Sequence, residues 1–134
     1  IWPKNKYILY KLATYYKTKK QYNESIKIYK KIIDIYGEND RDLFLYASNL
    51  DKIGKWEEAK TLLLNLLKRN PKDTHTLNYV SYKLALKEQD LNFALSLIKK
   101  ALTIDPENGF FLDTLGWVEF KRKTISLTLI GPLS

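Results

Sequence analysis

The sequence contains no cysteine and a single histidine, and this scarcity removes several classes of site. Without cysteine there is no disulfide framework, no thiolate metal site and no cysteine nucleophile. His75 has no carboxylate one helical turn away, as a metal pair on a helix would require, so we interpret it as a solvated or capping residue. Glycine-rich phosphate loops and the Gly-x-Ser-x-Gly motif are also missing. We therefore predict that the protein is not an enzyme and uses no metal or cofactor.

Long apolar runs and strand signals are absent as well. No run of eighteen apolar residues occurs, so we expect no membrane span. No Asn-Gly or Asp-Gly pair separates two alternating runs, as it would in a β-hairpin. The first residues do not form the apolar segment of a signal peptide. Two compartments stay open, the cytoplasm or, if a signal peptide has been removed, the periplasm.

Negative charge is scarce at one end of the chain. The net charge is +8, and residues 1–36 contain nine Lys against only Glu24 and Asp34. The whole chain has twenty Lys and three Arg, although Arg is better suited to phosphate and base edges. We therefore interpret the lysines as a solvated surface and do not expect a nucleic-acid partner. Binding of nucleic acid or anionic lipid through residues 1–36 is kept as an alternative.

What the sequence does contain is a period of about 34 residues. Small residues recur at Ala13, Ala47 and Ser81, and Gly116 follows 35 residues later. A second series of small residues and a series of chain breakers recur at nearly the same spacing; they are Ser25, Ala59 and Ala94, and Gly37, Pro71 and Pro106. A fixed period of this length is the signature of a repeat architecture.

Each repeating unit has the pattern of two helices joined by a short polar turn. Ile26, Tyr29 and Ile33 follow the spacing of three and four that places side chains on one side of a helix. Asp73 precedes a helical pattern and is a candidate N-cap. The small residues allow the two helices of a pair to approach closely, and a bulky side chain at Ala94 would cost about 1–3 kcal/mol.

This pattern resembles the tetratricopeptide repeat of bacterial proteins, whose 34-residue signature combines a bulky residue, Leu-Gly, aromatic residues, Ala and a closing Pro. The matching sets are Leu9, Leu12, Ala13, Tyr16, Ser25, Tyr29 and Gly37; Leu43, Tyr46, Ala47, Leu50, Ala59, Leu63 and Pro71; and Leu77, Val80, Ser81, Leu84, Ala94, Ile98, Ala101 and Pro106. A fourth set begins at Leu112, Leu115 and Gly116 and then stops matching. The resemblance covers residues 6–123 and implies an all-α solenoid of antiparallel helix pairs, about three and a half repeats in a right-handed superhelical stack.

The resemblance also implies the boundaries of the repeats. We expect repeat 1 at residues 6–38, repeat 2 at 39–72, repeat 3 at 73–107, and the first helix of an incomplete fourth repeat at 109–123. Residues 124–134 depart from the pattern, so we expect an irregular tail there; a short helical cover for the last helix is the alternative. The segment before the first repeat suggests that further repeats once preceded it.

In this family the first helix of each repeat lines a concave groove, which implies a protein-binding scaffold. The groove positions that we predict to bind a peptide or a partner helix are occupied by Tyr7, Tyr10, Thr14, Phe44, Ser48, Asn78, Tyr82, Phe110, Asp113 and Trp117. Aromatic rings supply large contact areas and are enriched at binding hot spots. The alternative for Tyr10 and Phe44 is that their rings turn into the core.

A specific mode of binding known in the family is not expected here. Members that clamp the C-terminal carboxylates of heat-shock chaperones use Lys and Asn at set positions of the first helices. In this sequence those positions hold Tyr10, Thr14, Leu45, His75 and Tyr79.

Self-assembly is a further alternative. If the second helix of the fourth repeat is absent, Leu112, Leu115 and Val118 lack their cover. An exposed apolar stripe of this kind favours pairing with another copy, which would make a homodimer through the last helix.

Overall fold

The computed structural model describes the backbone of residues 5–130 and the side chains of residues 5–129. Over this range it contains seven α-helices and no strand. The helices are α1 Lys6–Thr18, α2 Tyr22–Tyr36, α3 Asp40–Lys52, α4 Trp56–Arg69, α5 Thr74–Leu86, α6 Leu91–Ile104 and α7 Gly109–Ile130. The predicted all-α helical-repeat class is confirmed, whereas the handedness of the stack stays a prediction.

The helices form two compact units. The first unit ends at Arg69 and the second begins at Asn70. In the first, α1 packs on α2, α2 on α3, and α3 on α4. In the second, α6 packs on α5, and α7 contacts both of them. Each unit therefore contains at least one helix pair and a further helix packed against that pair.

A side-chain cap starts the first helix of every repeat. The Oδ1 atom of Asn5 accepts hydrogen bonds from the backbone N–H groups of residues 7 and 8. Asn39, Asp73 and Asn108 cap α3, α5 and α7 in the same way. The cap predicted at Asp73 is confirmed, and the other three lie at the same spacing along the sequence. These caps satisfy N–H groups that have no partner within the helix.

The recurring small residues lie where the helices of a pair meet. Ala13, Ala47 and Ser81 are completely buried, and so are the small residues of the second helices, Ser25, Ala59 and Ala94. Two of these contacts carry a hydrogen bond: the hydroxyl of Ser25 donates to the carbonyl of Ala13 (3.0 Å), and that of Ser81 donates to the carbonyl of Ala94 (2.7 Å). The short side chains thus allow the two helices of a pair to pack closely, as predicted from the spacing of small residues.

The end of the last helix differs from the expectation. Helix α7 continues to Ile130, so residues 124–130 are helical rather than irregular. The hydroxyls of Thr124 and Thr128 donate to backbone carbonyls one turn earlier, at 2.8 and 3.0 Å. The hydroxyl of a threonine in a helix can bond the carbonyl one turn earlier, so both hydroxyls have a partner within α7. The rest of the expected irregular tail, residues 131–134, and residues 1–4 lie outside the described residues.

Among residues 5–130, none of the helices has an apolar stretch long enough to cross a membrane.

Candidate peptide-binding surfaces

In the first unit, the predicted groove residue Tyr10 makes its main contacts within the protein. Its hydroxyl donates a hydrogen bond to the carboxylate of Asp42, which is completely buried. The ammonium of Lys6 lies 3.7 Å from the second oxygen of Asp42, and both Lys6 and the Arg41 guanidinium lie 5.6 Å from the centre of the Tyr10 ring. Tyr10 therefore links α1 to α3, and its hydroxyl is not free to bind a ligand.

Burial and charge change the acidity of the tyrosines in this cluster. The pKa of Tyr10 is raised to about 12. Burial is the largest cause, followed by the hydrogen bond to Asp42 and by the negative charge of that carboxylate. Burial and the same negative charge raise the pKa of Tyr29, whose ring centre lies 6.4 Å from that of Tyr10. Both shifts have the same origin, because a tyrosinate beside a buried carboxylate would place two like charges in a poorly solvated site.

The other predicted groove residues of the first unit divide into two groups. Tyr7, which is 66% exposed, and Thr14 reach solvent. Phe44 is half-buried, and Ser48 is buried with its hydroxyl donating to the carbonyl of Leu45 at 2.9 Å. This unit therefore offers few of the predicted side chains to a ligand.

The second unit presents its predicted residues more openly. Tyr82 on α5 is 40% exposed, Phe110 on α7 is 79% exposed, and Asp113 also faces solvent. Asn78 on α5 and Trp117 on α7 are half-buried. Helices α5 and α7 pack directly on each other. We call these five residues of α5 and α7 the aromatic surface.

Neighbouring side chains hold Trp117 in place. Its ring stacks on Phe120 with the ring centres 5.7 Å apart and the planes 20° from parallel. The ammonium of Lys121 lies 5.1 Å from the centre of the Trp117 ring and forms an ion pair with Glu88 at 3.0 Å. The tryptophan is thus fixed by a stacked ring and by a cation that is itself tied to the α5–α6 turn.

Two buried polar atoms of the aromatic surface have no hydrogen-bond partner among the described residues. They are the Oδ1 atom of Asn78 and the Nε1 atom of Trp117. Buried polar atoms are nearly always hydrogen-bonded in proteins, and each one left unpaired costs about 1–3 kcal/mol. Both atoms have almost no accessible surface, so a ligand could bond to them only if neighbouring side chains moved.

The residues predicted for self-association lie in three different environments. Leu112 is 47% exposed, Leu115 is half-buried and Val118 is completely buried. The expectation that Val118 lacks a cover is wrong, because it lies on the side of α7 that also buries Phe111 and Thr114 in this unit. The exposed apolar residues Leu112, Phe120 and Leu127 lie on the opposite side of α7.

Tyrosines and lysines alternate along one side of α1 and onto Lys19, the C-cap residue that follows it. Tyr7, Lys11, Tyr15 and Lys19 follow one another at intervals of four residues, and all four are exposed. The ammonium of Lys11 lies 5.3 Å from the centre of the Tyr7 ring, and that of Lys19 lies 5.8 Å from the Tyr15 ring. We call these four residues the Tyr-Lys stripe.

Metal-ligand clusters are not found in the part of the chain that the structure describes. No group of three or more His, Asp or Glu side chains lies close enough together there to hold an ion. His75 is exposed near the start of α5.

Comparison with known proteins identifies a family and several relatives. A family model for the tetratricopeptide repeat matches residues 7–39 and 43–73. The TPR repeat-containing protein YpiA of Bacillus subtilis is 34% identical over 108 residues, which cover 75% of this chain and 24% of that protein. The chain thus spans about a quarter of the length of that relative.

Solved structures share the fold. A tetratricopeptide repeat protein from Parabacteroides merdae matches with a TM-score of 0.79 and 20% identity, over 91% of this chain and 47% of that one. The first repeat domain of Spaghetti bound to an HSP90 peptide gives 0.75 and 18%, over 90% and 92% of the two chains. YrrB, described as having an unusual peptide-binding site, gives 0.71 and 22%, over 86% and 59%. At these identities the similarity establishes the fold.

Proposed function

We propose that this chain, which belongs to the tetratricopeptide repeat family, is a non-catalytic protein-interaction module that binds a peptide or a partner helix on the aromatic surface of its second unit. The observation that carries the proposal is the half-buried ring of Trp117, which stacking on Phe120 and the ammonium of Lys121 hold in place. A preorganised ring gives up little conformational freedom on binding, which favours its use as an anchor.

The first unit supports peptide binding less well. The hydroxyl of Tyr10 is already bonded to Asp42, and that of Ser48 is bonded to its own helix. A ligand would have to break these contacts before it could use either side chain. We therefore assign the main anchor points to Tyr82, Asn78 and Trp117, and only peripheral contacts to Tyr7 and Thr14.

The similar structures support the same class of function. The Spaghetti domain is bound to an HSP90 peptide, and YrrB has a peptide-binding site. Peptide binding by this chain is inferred from its own side chains, because the sequence similarity to both proteins is low. The non-catalytic role is inferred from the family, whose repeats are generally a protein-interaction fold.

Selection from a library of random peptides displayed on phage tests the proposal. Peptides selected on the wild-type protein are then titrated by calorimetry against wild type, Tyr82→Ala and the control Phe93→Ala, which removes an exposed ring from α6. We expect Tyr82→Ala to weaken binding about tenfold or more, because hot-spot tyrosines contribute on the order of 2 kcal/mol. The control should leave the affinity unchanged. Failure to select any peptide, or equal affinity for both variants, would contradict the proposal.

The HSP90 peptide bound by the Spaghetti domain serves as a second probe. We expect it to bind this chain weakly, because the positions that clamp a terminal carboxylate in the family hold Tyr10, Thr14 and other residues without a positive charge. Tight binding that is lost when the peptide's C-terminus is amidated would show that the chain does clamp carboxylates.

The Tyr-Lys stripe favours a second candidate function, the binding of single-stranded nucleic acid. Exposed rings provide stacking platforms and the intervening ammonium groups neutralise phosphates, which is the combination that single-strand binders use. The stripe lies in the segment that carries most of the excess positive charge. It has no arginine, however, and its ammonium groups already lie over its own rings. This function is therefore the weaker of the two.

Salt dependence of oligothymidylate binding separates the two candidates. If the stripe binds nucleic acid, the affinity should fall steeply with salt concentration, and Lys11→Gln with Lys19→Gln should reduce that slope. The matched control replaces Lys99 and Lys100, which are exposed on α6, and removes the same charge. Equal losses in both double variants would indicate a general charge effect and would exclude a specific role for the stripe. Binding to anionic lipid vesicles with no binding to the oligonucleotide would exclude it as well.

A further inference from the structure

A helix face of α7 is uncovered at the position where the three preceding repeats bury a small residue. Ala13, Ala47 and Ser81 are completely buried at the contact with the second helix of their pair. Gly116 occupies the next position of this series, yet it is exposed, and a Cβ atom built on it would meet no atom within 4 Å. The described residues thus present the small-residue contact of a helix pair without the second helix.

Large apolar side chains surround Gly116 on the same side of the helix. Leu112, Phe120 and Leu127 are 47%, 57% and 56% exposed, and with Gly116 they follow the helical period along α7. This side lies opposite the one that buries Phe111 and Val118. At 1.5 Å per residue the stripe extends over roughly 22 Å of helix. A single exposed leucine is ordinary, but a continuous stripe with a glycine at the close-approach position is typical of a helix interface.

We propose that this face, defined by Leu112, Gly116, Glu119, Phe120, Lys123 and Leu127, pairs with the same face of a second copy of the chain. The two α7 helices would run antiparallel about a two-fold axis that lies between residues 119 and 120. We choose a second copy as the partner because the sequence of α7 complements itself about this axis: apolar residues then face apolar residues, and acidic residues lie near basic ones. Leu112 then lies opposite the partner's Leu127, and Gly116 lies opposite the partner's Lys123.

Charge supports this pairing. The partner's Lys123 lies opposite Gly116, and Glu119 lies one helical turn from Gly116 on the same helix. Glu119 is therefore close to the partner's Lys123, and the two-fold axis produces the same oppositely charged pair a second time. The apolar stem of Lys123 can lie along the exposed backbone at Gly116, where no Cβ atom is present. Glu119 already contacts Arg122 of its own helix at 3.6 Å, and both side chains are partly exposed, so that this pair does not compete strongly. An isologous contact of this kind closes as a dimer and does not propagate into a filament.

Sedimentation equilibrium of the whole chain as a function of protein concentration tests the pairing. The wild type should show a monomer–dimer equilibrium. Gly116→Gln should abolish the dimer, because its side chain fills the close-approach position. Gln is a better helix former than Gly, so unfolding of α7 would not be the cause. Circular dichroism checks this directly. A wild type that stays monomeric at every concentration, or a Gly116→Gln variant that still dimerises, would overturn the proposal.

Charge reversal provides a sharper test of orientation and partner. In a homodimer of Glu119→Lys the new ammonium group lies near the partner's Lys123, and in a homodimer of Lys123→Glu the new carboxylate lies near the partner's Glu119. Each variant alone should therefore self-associate about tenfold more weakly than wild type, because like charges face each other. A mixture of the two variants removes the repulsion, since one copy then contributes only positive charges and the other only negative charges, and it should form a heterodimer. If the mixture associates no better than either variant alone, the antiparallel register is wrong.

The paired face and the aromatic surface meet at Phe120, whose ring stacks on Trp117, but Gly116 belongs only to the first and Tyr82 only to the second. Gly116→Gln should leave the affinity for selected peptides unchanged, and Tyr82→Ala should leave dimerisation unchanged. Loss of one activity without the other therefore identifies which of the two proposals fails.

Discussion

The hydroxyl of Tyr10 donates a hydrogen bond to the buried carboxylate of Asp42, and this contact joins the first helices of the first two repeats. Tyr10 was predicted to line the groove, whereas Asp42 is a buried residue that the sequence did not single out. Among the described residues the second carboxylate oxygen accepts no hydrogen bond, and the Lys6 ammonium lies 3.7 Å from it. Within that part of the chain, Tyr10 therefore supplies the side-chain hydrogen bond that Asp42 accepts.

Replacing Tyr10 with Phe removes that donor and leaves a buried carboxylate with less compensation. We expect the free energy of unfolding to fall by about 1–3 kcal/mol, which urea denaturation followed by circular dichroism would measure. Tyr7→Phe is the matched control, because Tyr7 is 66% exposed, and it should change stability little. Equal effects of the two variants would show that the Tyr10 hydroxyl contributes nothing specific.

Alkaline pH should weaken the same contact. The pKa of Tyr10 is about 12 in the folded protein and near its ordinary value of 10.0 in the unfolded chain. Between these values the folded state retains a proton that the unfolded state has lost, so the stabilisation is complete below pH 10 and decreases as pH rises toward 12. Urea denaturation at a series of pH values measures this. The difference in stability between wild type and Tyr10→Phe should shrink over that window, and a constant difference would contradict the assignment.

The two serine hydroxyls that join helix pairs should differ in importance. Ser25 donates to Ala13 and also accepts a hydrogen bond from the buried Asn49 amide at 2.9 Å, whereas Ser81 donates only to Ala94. Ser25→Ala should therefore cost about 1–3 kcal/mol, because it leaves a buried donor of Asn49 unpaired. Ser81→Ala should cost about 0.5–1.5 kcal/mol. Thermal or urea unfolding of the two variants would decide, and a larger effect at Ser81 would refute this reasoning.

Gly116 and Ala47 occupy matching positions but should respond to added bulk in opposite ways. Gly116→Ala should stabilise the chain by up to about 1 kcal/mol, because the space is open and alanine favours the helix. Ala47→Leu should destabilise it by about 1–3 kcal/mol, because Ala47 is completely buried. Both are measured by denaturation at low protein concentration, where self-association does not contribute. Destabilisation by Gly116→Ala would show that the site is covered.

Sequence spacing predicted the helices better than the ends of the helices. Ala13 and the other small residues of its series identified the pairs, because helix contact requires short side chains at regular intervals. Asn5, Asn39 and Asn108 recur with Asp73 at the repeat spacing, and that signal could have located the start of every first helix. At the end of α7 the departure from the repeat pattern predicted an irregular tail, yet the helix continues to Ile130.

The groove residues were harder to predict. Tyr10 and Tyr82 are both tyrosines that the sequence predicted to line the groove, but among the described residues the hydroxyl of Tyr10 is bonded to a buried carboxylate and Tyr82 is 40% exposed. Repeat register indicates which side of a helix a residue occupies. It does not indicate whether a neighbouring helix supplies a partner for that residue. Val118 shows the same limit, because its burial depends on where α5 and α6 pack against α7.

The sequence by itself determined the family and the pairing of helices, since both follow from a period that local helix geometry imposes on side-chain size. Only the tertiary structure decided which tyrosine bonds internally, which tryptophan ring is held by its neighbours, and which face of the last described helix is exposed. Those outcomes depend on contacts between side chains far apart in the chain, and such contacts exist only after the helices have packed.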